Sequence, residues 1–287
     1  APRLDCSATN ETSIPTCSGN AILNAENELG PGEEPYASTL IHHNENNVVV
    51  LVTAGLVDGM VTFFNLPSEA PAQKLLDVEI DTEIQSIVFH PGTGELLFTH
   101  RRLSGIYALP ISIGIKDGTP SVVAGEKRFV YLPGDPLGGD YGREITLAPN
   151  GHQIAVLWRS PASLRILEPD DTLSSGYRLV TETPVGRSPA DLVFAPFGPG
   201  NTELAFVSCH RDDQVYVVDV QAALVTNVIK VGKGPFGIVA VDRPDLNRRV
   251  VVTANFEDDT LSVIEGDPSS AFYLDVIAYV HNGEGIQ

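Results

Sequence analysis

Short apolar runs recur along the whole chain, each bounded by Gly, Pro, Asn or Asp, as in Val48–Thr53, Leu96–Thr99, Ile154–Trp158 and Val250–Thr253. Runs of this length, with no helical period of comparable strength, predict β-strands. The runs also repeat. Val185-Gly186-Arg187-Ser188-Pro189-Ala190-Asp191-Leu192-Val193 matches Val231-Gly232-Lys233-Gly234-Pro235-Phe236-Gly237-Ile238-Val239 at an offset of 46 residues. A second match follows each: Glu203–Cys209, His210–Asp213 and Gln214–Val220 parallel Arg249–Ala254, Asn255–Asp259 and Thr260–Glu265.

The repeating unit reads as four strands. Strand A is short and apolar (Leu192–Phe194; Ile238–Val241), B is a longer Val-rich run, C alternates as in Val215–Asp219, and D is again apolar (Val225–Val231; Tyr273–Val280). Three earlier copies place A strands at Thr39–Ile41, Ile87–Phe89 and Ile145–Leu147, at spacings of about 46 to 58 residues, the longest holding the Gly- and Pro-rich insertion Pro133–Gly142. Turn clusters such as His90–Gly94 and Pro149–Gly151 separate A from B, as an antiparallel meander requires. Five four-stranded antiparallel units of this length define an all-β fold, a β-propeller, over residues 36–287, preceded by an N-terminal extension over residues 1–35.

The pattern G-x-x-P-x-x-(apolar), then a Val-rich strand, Asn or Ser, an acidic turn and a strand ending in Asp or Glu resembles the YVTN family of propeller repeats. Repeats four and five carry it best, in Thr253-Ala254-Asn255 and Val217-Val218-Asp219. Because Val276–Ile286 parallels Val228–Ile238, the sequence stops where a sixth A strand would begin. Two arrangements stand open: five blades closing with this end against Tyr36, or part of a ring of six to eight. The resemblance favours the second, since its members usually form seven-bladed rings.

Composition narrows the chemistry. Eighteen Lys and Arg against 37 Asp and Glu give a net charge of −19, which disfavours nucleic acid or an anionic membrane as partner of the whole surface. The apolar runs are too short to cross a bilayer as helices. Cys6 and Cys17 lie in a polar stretch and read as a disulfide that ties down the N-terminus, whereas Cys209 ends an apolar run. Such a pair belongs in an oxidising compartment, so the chain is expected to be extracytoplasmic, periplasmic, cell-surface or secreted. Asn10-Glu11-Thr12 also fits an N-glycosylation acceptor.

In a propeller, the D–A and B–C loops share one face, where ligands usually sit. The D–A loops here contain Arg143, Arg187 and Lys233, and the B–C loops His100, Arg101, Arg102, Arg159, His210 and Arg211, so seven of the 18 basic residues fall in these loops. Converging guanidinium groups select carboxylate or phosphate, whereas the competing reading is exposed turn residues paired with nearby Asp. The face is therefore expected to bind an anionic small molecule or a protein partner, with no cofactor. His100 and His210 hold equivalent positions, which leaves metal or haem ligation open as a redox alternative. A lactonase-like hydrolase is the other alternative, for which Glu144 is the evident acid. His42-His43 are adjacent on a strand and point to opposite faces. Asp135, Asp140 and Asp212-Asp213 offer oxygen ligands without a Ca²⁺ motif. There is no CxxCH, GxSxG, HExxH or P-loop.

Overall fold

The computed structural model describes residues 35–43, 47–68, 70–132, 141–243 and 248–281. The Cys6–Cys17 pairing, Asn10, Asp135, Asp140 and the closing segment 283–286 lie outside them. The described chain is built from antiparallel strands with no α-helix, and falls into two compact units: residues up to Thr82 together with Ile111–Ala124, and Glu83–Pro110 together with everything from Gly125 onward.

The first unit contains blade one, a meander of β1 (Pro35–His43), β2 (Val48–Gly55), β3 (Met60–Asn65) and β4 (Gln73–Glu79). The second unit holds four blades. Blade two has β5 (Ile84–His90), β6 (Glu95–His100), the first half of β7 (Gly105–Lys116) and β9 (Arg128–Tyr131). Beyond Pro110, β7 pairs instead with β8 (Thr119–Ala124), and that hairpin belongs to the first unit. The long spacing between the second and third A strands thus reflects this hairpin as well as the Pro133–Gly142 insertion.

Blade three is β10 (Gly142–Leu147), β11 (Ile154–Arg159), β12 (Ala162–Pro169) and β13 (Tyr177–Pro184). Blade four is β14 (Pro189–Ala195), β15 (Leu204–Cys209), β16 (Gln214–Asp219) and β17 (Leu224–Lys230). Blade five is β18 (Pro235–Arg243), β19 (Arg248–Asn255), β20 (Thr260–Glu265) and β21 (Val276–His281). The last strand begins later than the apolar pattern indicates, because Ser270–Asp275 is taken up by turns in which Tyr273 N donates to Ser270 O and Asp275 N to Phe272 O.

Strand order within a blade follows from burial. The second strands are continuous apolar runs because both faces pack against neighbouring blades. In β15, Leu204 and Phe206 enter the core shared with blade five, while Ala205, Val207 and Cys209 enter the core shared with blade three. In β11, Ile154, Val156 and Trp158 face blade two, and Ala155 and Leu157 face blade four. Fourth strands such as β17 bury little and lie outermost. First strands adjoin one another, as when Ile238 N on β18 donates to Asp191 Oδ2 on β14 (3.0 Å). Leu192–Phe194 and Ile238–Val241 are therefore innermost, as the repeat requires.

The glycine of the G-x-x-P motif has a steric reason. A Cβ at Gly186 would stand 2.7 Å from Asp212 Oδ2, and one at Gly232 would stand 2.6 Å from Asn255 Cγ. The connection entering each of these blades passes directly over the end of its second strand, and only a residue without a side chain fits there.

Candidate functional site

Each first strand of the second unit begins with a register irregularity: between Ile84 and Ser86, Gly142 and Ile145, Pro189 and Asp191, and Pro235 and Ile238. A bulge adds a residue that the neighbouring strand cannot pair, and so re-aims side chains at the sheet edge. Repeated in four blades, it puts Gln85, Arg143, Ala190 and Phe236 at one equivalent position and Ser86, Glu144, Asp191 and Gly237 at the next.

Gln85, Ser86, Arg143, Glu144 and Asp191, with the Phe236 ring, form a polar collar on the inner edge of the unit. Arg143 Nη1 donates to Gln85 Oε1 (2.7 Å), and its Cζ lies 4.8 Å from the centroid of the Phe236 ring. Ser86 Oγ donates to Glu144 Oε1 (2.6 Å). Asp191 accepts the backbone N–H groups of Leu192 (2.7 Å) and Ile238 (3.0 Å). Burial raises the Glu144 carboxyl from 4.5 to about 7; the Ser86 hydrogen bond and Arg143 oppose the rise, and the charge of Asp191 adds to it. Burial likewise raises Asp191, against its two backbone hydrogen bonds and Arg143. A guanidinium thus sits beside a carboxyl group that exchanges protons near neutrality, an arrangement suited to binding a carboxylate and to moving a proton.

Arg143 departs from the sequence expectation. It lies on β10 rather than in a D–A loop, and it is 8% exposed, because the bulge turns it inward onto Phe236.

The other basic residues lie in or beside the B–C turns and D–A connections, which backbone hydrogen bonds join at one end of each blade. Arg101 N donates to Glu83 O (3.1 Å), Arg159 N to Tyr141 O (2.8 Å), His210 N to Ser188 O (3.1 Å), Arg211 N to Arg187 O (3.4 Å) and Glu257 N to Lys233 O (3.2 Å). Several are engaged by neighbours. Arg187 Nε pairs with Asp212 Oδ1 (2.6 Å) and Arg102 Nε with Glu83 Oε2 (2.9 Å), while Lys233 Nζ stands 3.9 Å from Asp258 Oδ1. Arg159 Nε donates to Pro189 O (3.3 Å). Arg101 and Arg211 are exposed.

The two histidines are not equivalent. His100 is buried, and its Nδ1 accepts the N–H groups of Arg102 and Leu103 (3.0 Å each), so it organises the turn. His210 Nε2 stands 3.4 Å from Glu257 Oε1, with its ring edge-on to Phe236 at 6.1 Å. Among the described residues no three His, Cys, Asp or Glu side chains gather as a metal-binding group. Cys209 is a free, buried cysteine whose thiol burial pushes up to about 12.

Gln85, Ser86, Asp191 and Phe236 were missed as site residues. Their signal is a pair with at least one polar or aromatic member standing directly before each first-strand apolar run: Gln85-Ser86, Arg143-Glu144, Ala190-Asp191, Phe236-Gly237.

No family model matches this chain, and no curated protein does. Solved structures do match it. The periplasmic gluconolactonase PpgL of Pseudomonas aeruginosa aligns over 88% of this chain and 72% of its own, with a TM-score of 0.62 and 14% identity. A functionally unknown protein from Desulfotomaculum acetoxidans aligns over 88% and 71%, also at 0.62 and 14%. A putative 6-phosphogluconolactonase from Bacteroides uniformis aligns over 71% and 56%, at 0.50 and 13%. At these identities the likeness establishes the fold: the chain is a β-propeller of four-stranded antiparallel blades.

Proposed function

We propose that this protein is an extracytoplasmic propeller of the YVTN type that binds a small hydroxylated carboxylate at the inner-strand collar, with the basic turns around it drawing in the anion or an acidic face of a protein partner. The buried Arg143 beside Glu144 carries this reading: the guanidinium meets the carboxylate of the ligand in place of Gln85, and Glu144 and Asp191 accept its hydroxyl groups. The repeat pattern supports the family. The reading of Cys6 and Cys17 as a disulfide, and the likeness to a periplasmic protein, support the compartment.

The test is calorimetric titration with D-gluconate at low and high salt. Binding is expected to weaken at least tenfold in Arg143→Met and to fall as salt rises. Arg187→Ala and Arg211→Ala should weaken it less, and Arg248→Ala, at the opposite end of its blade, should leave it unchanged. Equal losses in all four variants would remove the reading.

A second reading is favoured by one observation, the Glu144 carboxyl at about 7: hydrolysis of a lactone, with Glu144 as general base toward water and Arg143 holding the carbonyl oxygen. Structural likeness to a gluconolactonase agrees with it. Opening of glucono-δ-lactone above the spontaneous rate, followed by pH-stat and lost in Glu144→Gln, is the expected result; no rate above background refutes it.

A further inference from the structure

Behind the collar, in the wall between blades two and three, two buried hydrogen-bond donors have no acceptor among the described residues. Trp158 is fully buried, and the Arg165 side chain is 1% exposed. The guanidinium lies over the indole, Cζ 4.5 Å from the ring centroid. Arg165 Nε and Nη2 donate to Glu182 Oε1 at 3.1 and 2.8 Å, and Ser163 Oγ donates to the same oxygen at 2.9 Å. Among the described residues, Arg165 Nη1 and Trp158 Nε1 have no hydrogen-bond partner.

Buried polar atoms almost always have a partner in the protein, an ordered water or an ion. Both orphans here are donors, and the stacked contact keeps them within one small region. The acceptor beside them, Glu182 Oε1, already takes three hydrogen bonds. A water molecule would accept from the two orphans but would bring two hydrogens needing acceptors of their own. A halide brings lone pairs and no hydrogens. Glu182 is 35% exposed, so its opposing charge is partly screened by solvent, whereas the anion would lie against the fully buried guanidinium.

We propose that Arg165 Nη1 and Trp158 Nε1 bind a halide ion, chloride in ordinary buffers, inside the wall between blades two and three. The site is independent of the ligand reading given above. It stands next to the collar nonetheless, since Trp158 pairs with Gly142 across β10 and β11 and stacks on Tyr141 at 5.5 Å, the two residues immediately before Arg143 and Glu144. Occupancy would hold the start of β10 and thereby the position of Arg143.

Trp158 is the single tryptophan of the sequence, so its emission reports the site directly. The full-length protein is titrated with sodium iodide, with ionic strength kept constant by sodium sulfate. The expected result is saturable quenching of emission, with chloride competing and raising the apparent iodide midpoint at least threefold. Arg165→Met, which keeps the apolar stem and removes the donors, should abolish the saturable phase while far-UV circular dichroism remains unchanged. Glu182→Gln should tighten iodide binding severalfold, and this variant decides the matter if Arg165→Met does not fold. Quenching that is absent or strictly linear in the wild type, a saturable phase retained in folded Arg165→Met, or no tightening in Glu182→Gln overturns the proposal.

Discussion

Glu144→Gln separates the charge of the collar carboxyl from its shape. Gln retains an oxygen that can accept the hydrogen bond from Ser86 Oγ, and it cannot ionise. The wild-type carboxyl rises from 4.5 to about 7 on folding, first because of burial and then because of Asp191. Between those values the native state holds more protons than the unfolded chain, so stability falls as pH rises through this window. At about 1.36 kcal/mol per pKa unit, ionising the buried group costs on the order of 3 kcal/mol of stability above pH 7. Below pH 4.5 the penalty is absent.

Glu144→Gln should therefore differ little from wild type at pH 4.5 and be the more stable of the two by roughly 1–3 kcal/mol at pH 8. Urea unfolding followed by circular dichroism at both pH values measures the difference, with the m-value checked for equality so that midpoints convert to free energy. Asp191, also raised by burial, is present in both proteins, so only its coupling to the Glu144 charge differs between them. An offset between variant and wild type that is the same at both pH values would falsify the assignment of a strained charge to Glu144.

Other perturbations test other parts of the structure. Gly232→Ala is expected to destabilise the fold by about 1–3 kcal/mol, because its Cβ would meet Asn255, itself held by hydrogen bonds to Thr260 and Ser262 at 2.8 Å; a midpoint within error of wild type in denaturant titration would contradict the packing. Phe206→Ala, in the core between blades four and five, should cost about 3–5 kcal/mol by the same assay. Ellman titration should find Cys209 unreactive in the native protein, since the thiol is buried and its pKa is pushed up to about 12. After unfolding without reductant it should reveal one thiol, and after reduction three; three without reduction would rule out the Cys6–Cys17 disulfide.

Much of the fold was legible in the sequence, because blade structure is written in local alternation. Two apolar faces on β11 and β15 produce an unbroken hydrophobic run. One buried face on the outer strands produces a weaker one. The G-x-x-P glycine marks the point where Gly186 and Gly232 cross the end of a second strand. Four strands per repeat, their order, and the innermost position of Leu192–Phe194 and Ile238–Val241 all follow from a period of about 46 residues.

The collar was not legible in that way. Gln85, Ser86, Arg143, Glu144, Asp191 and Phe236 come from four blades, and nothing local to any one of them says that they meet. Three effects that only packing decides bring them together or set their chemistry: a bulge at the start of every first strand, the stacking of neighbouring blades, and the burial that shifts Glu144. The same limit governs the basic turns. Sequence register placed Arg187, Arg211 and Lys233 in D–A and B–C loops, but whether each guanidinium or ammonium faces a ligand or an internal carboxylate depends on side-chain distances such as the 2.6 Å between Arg187 and Asp212. Strand alternation is fixed by the chemistry of adjacent residues; the pairing of charges dozens of residues apart is fixed only when the blades have stacked.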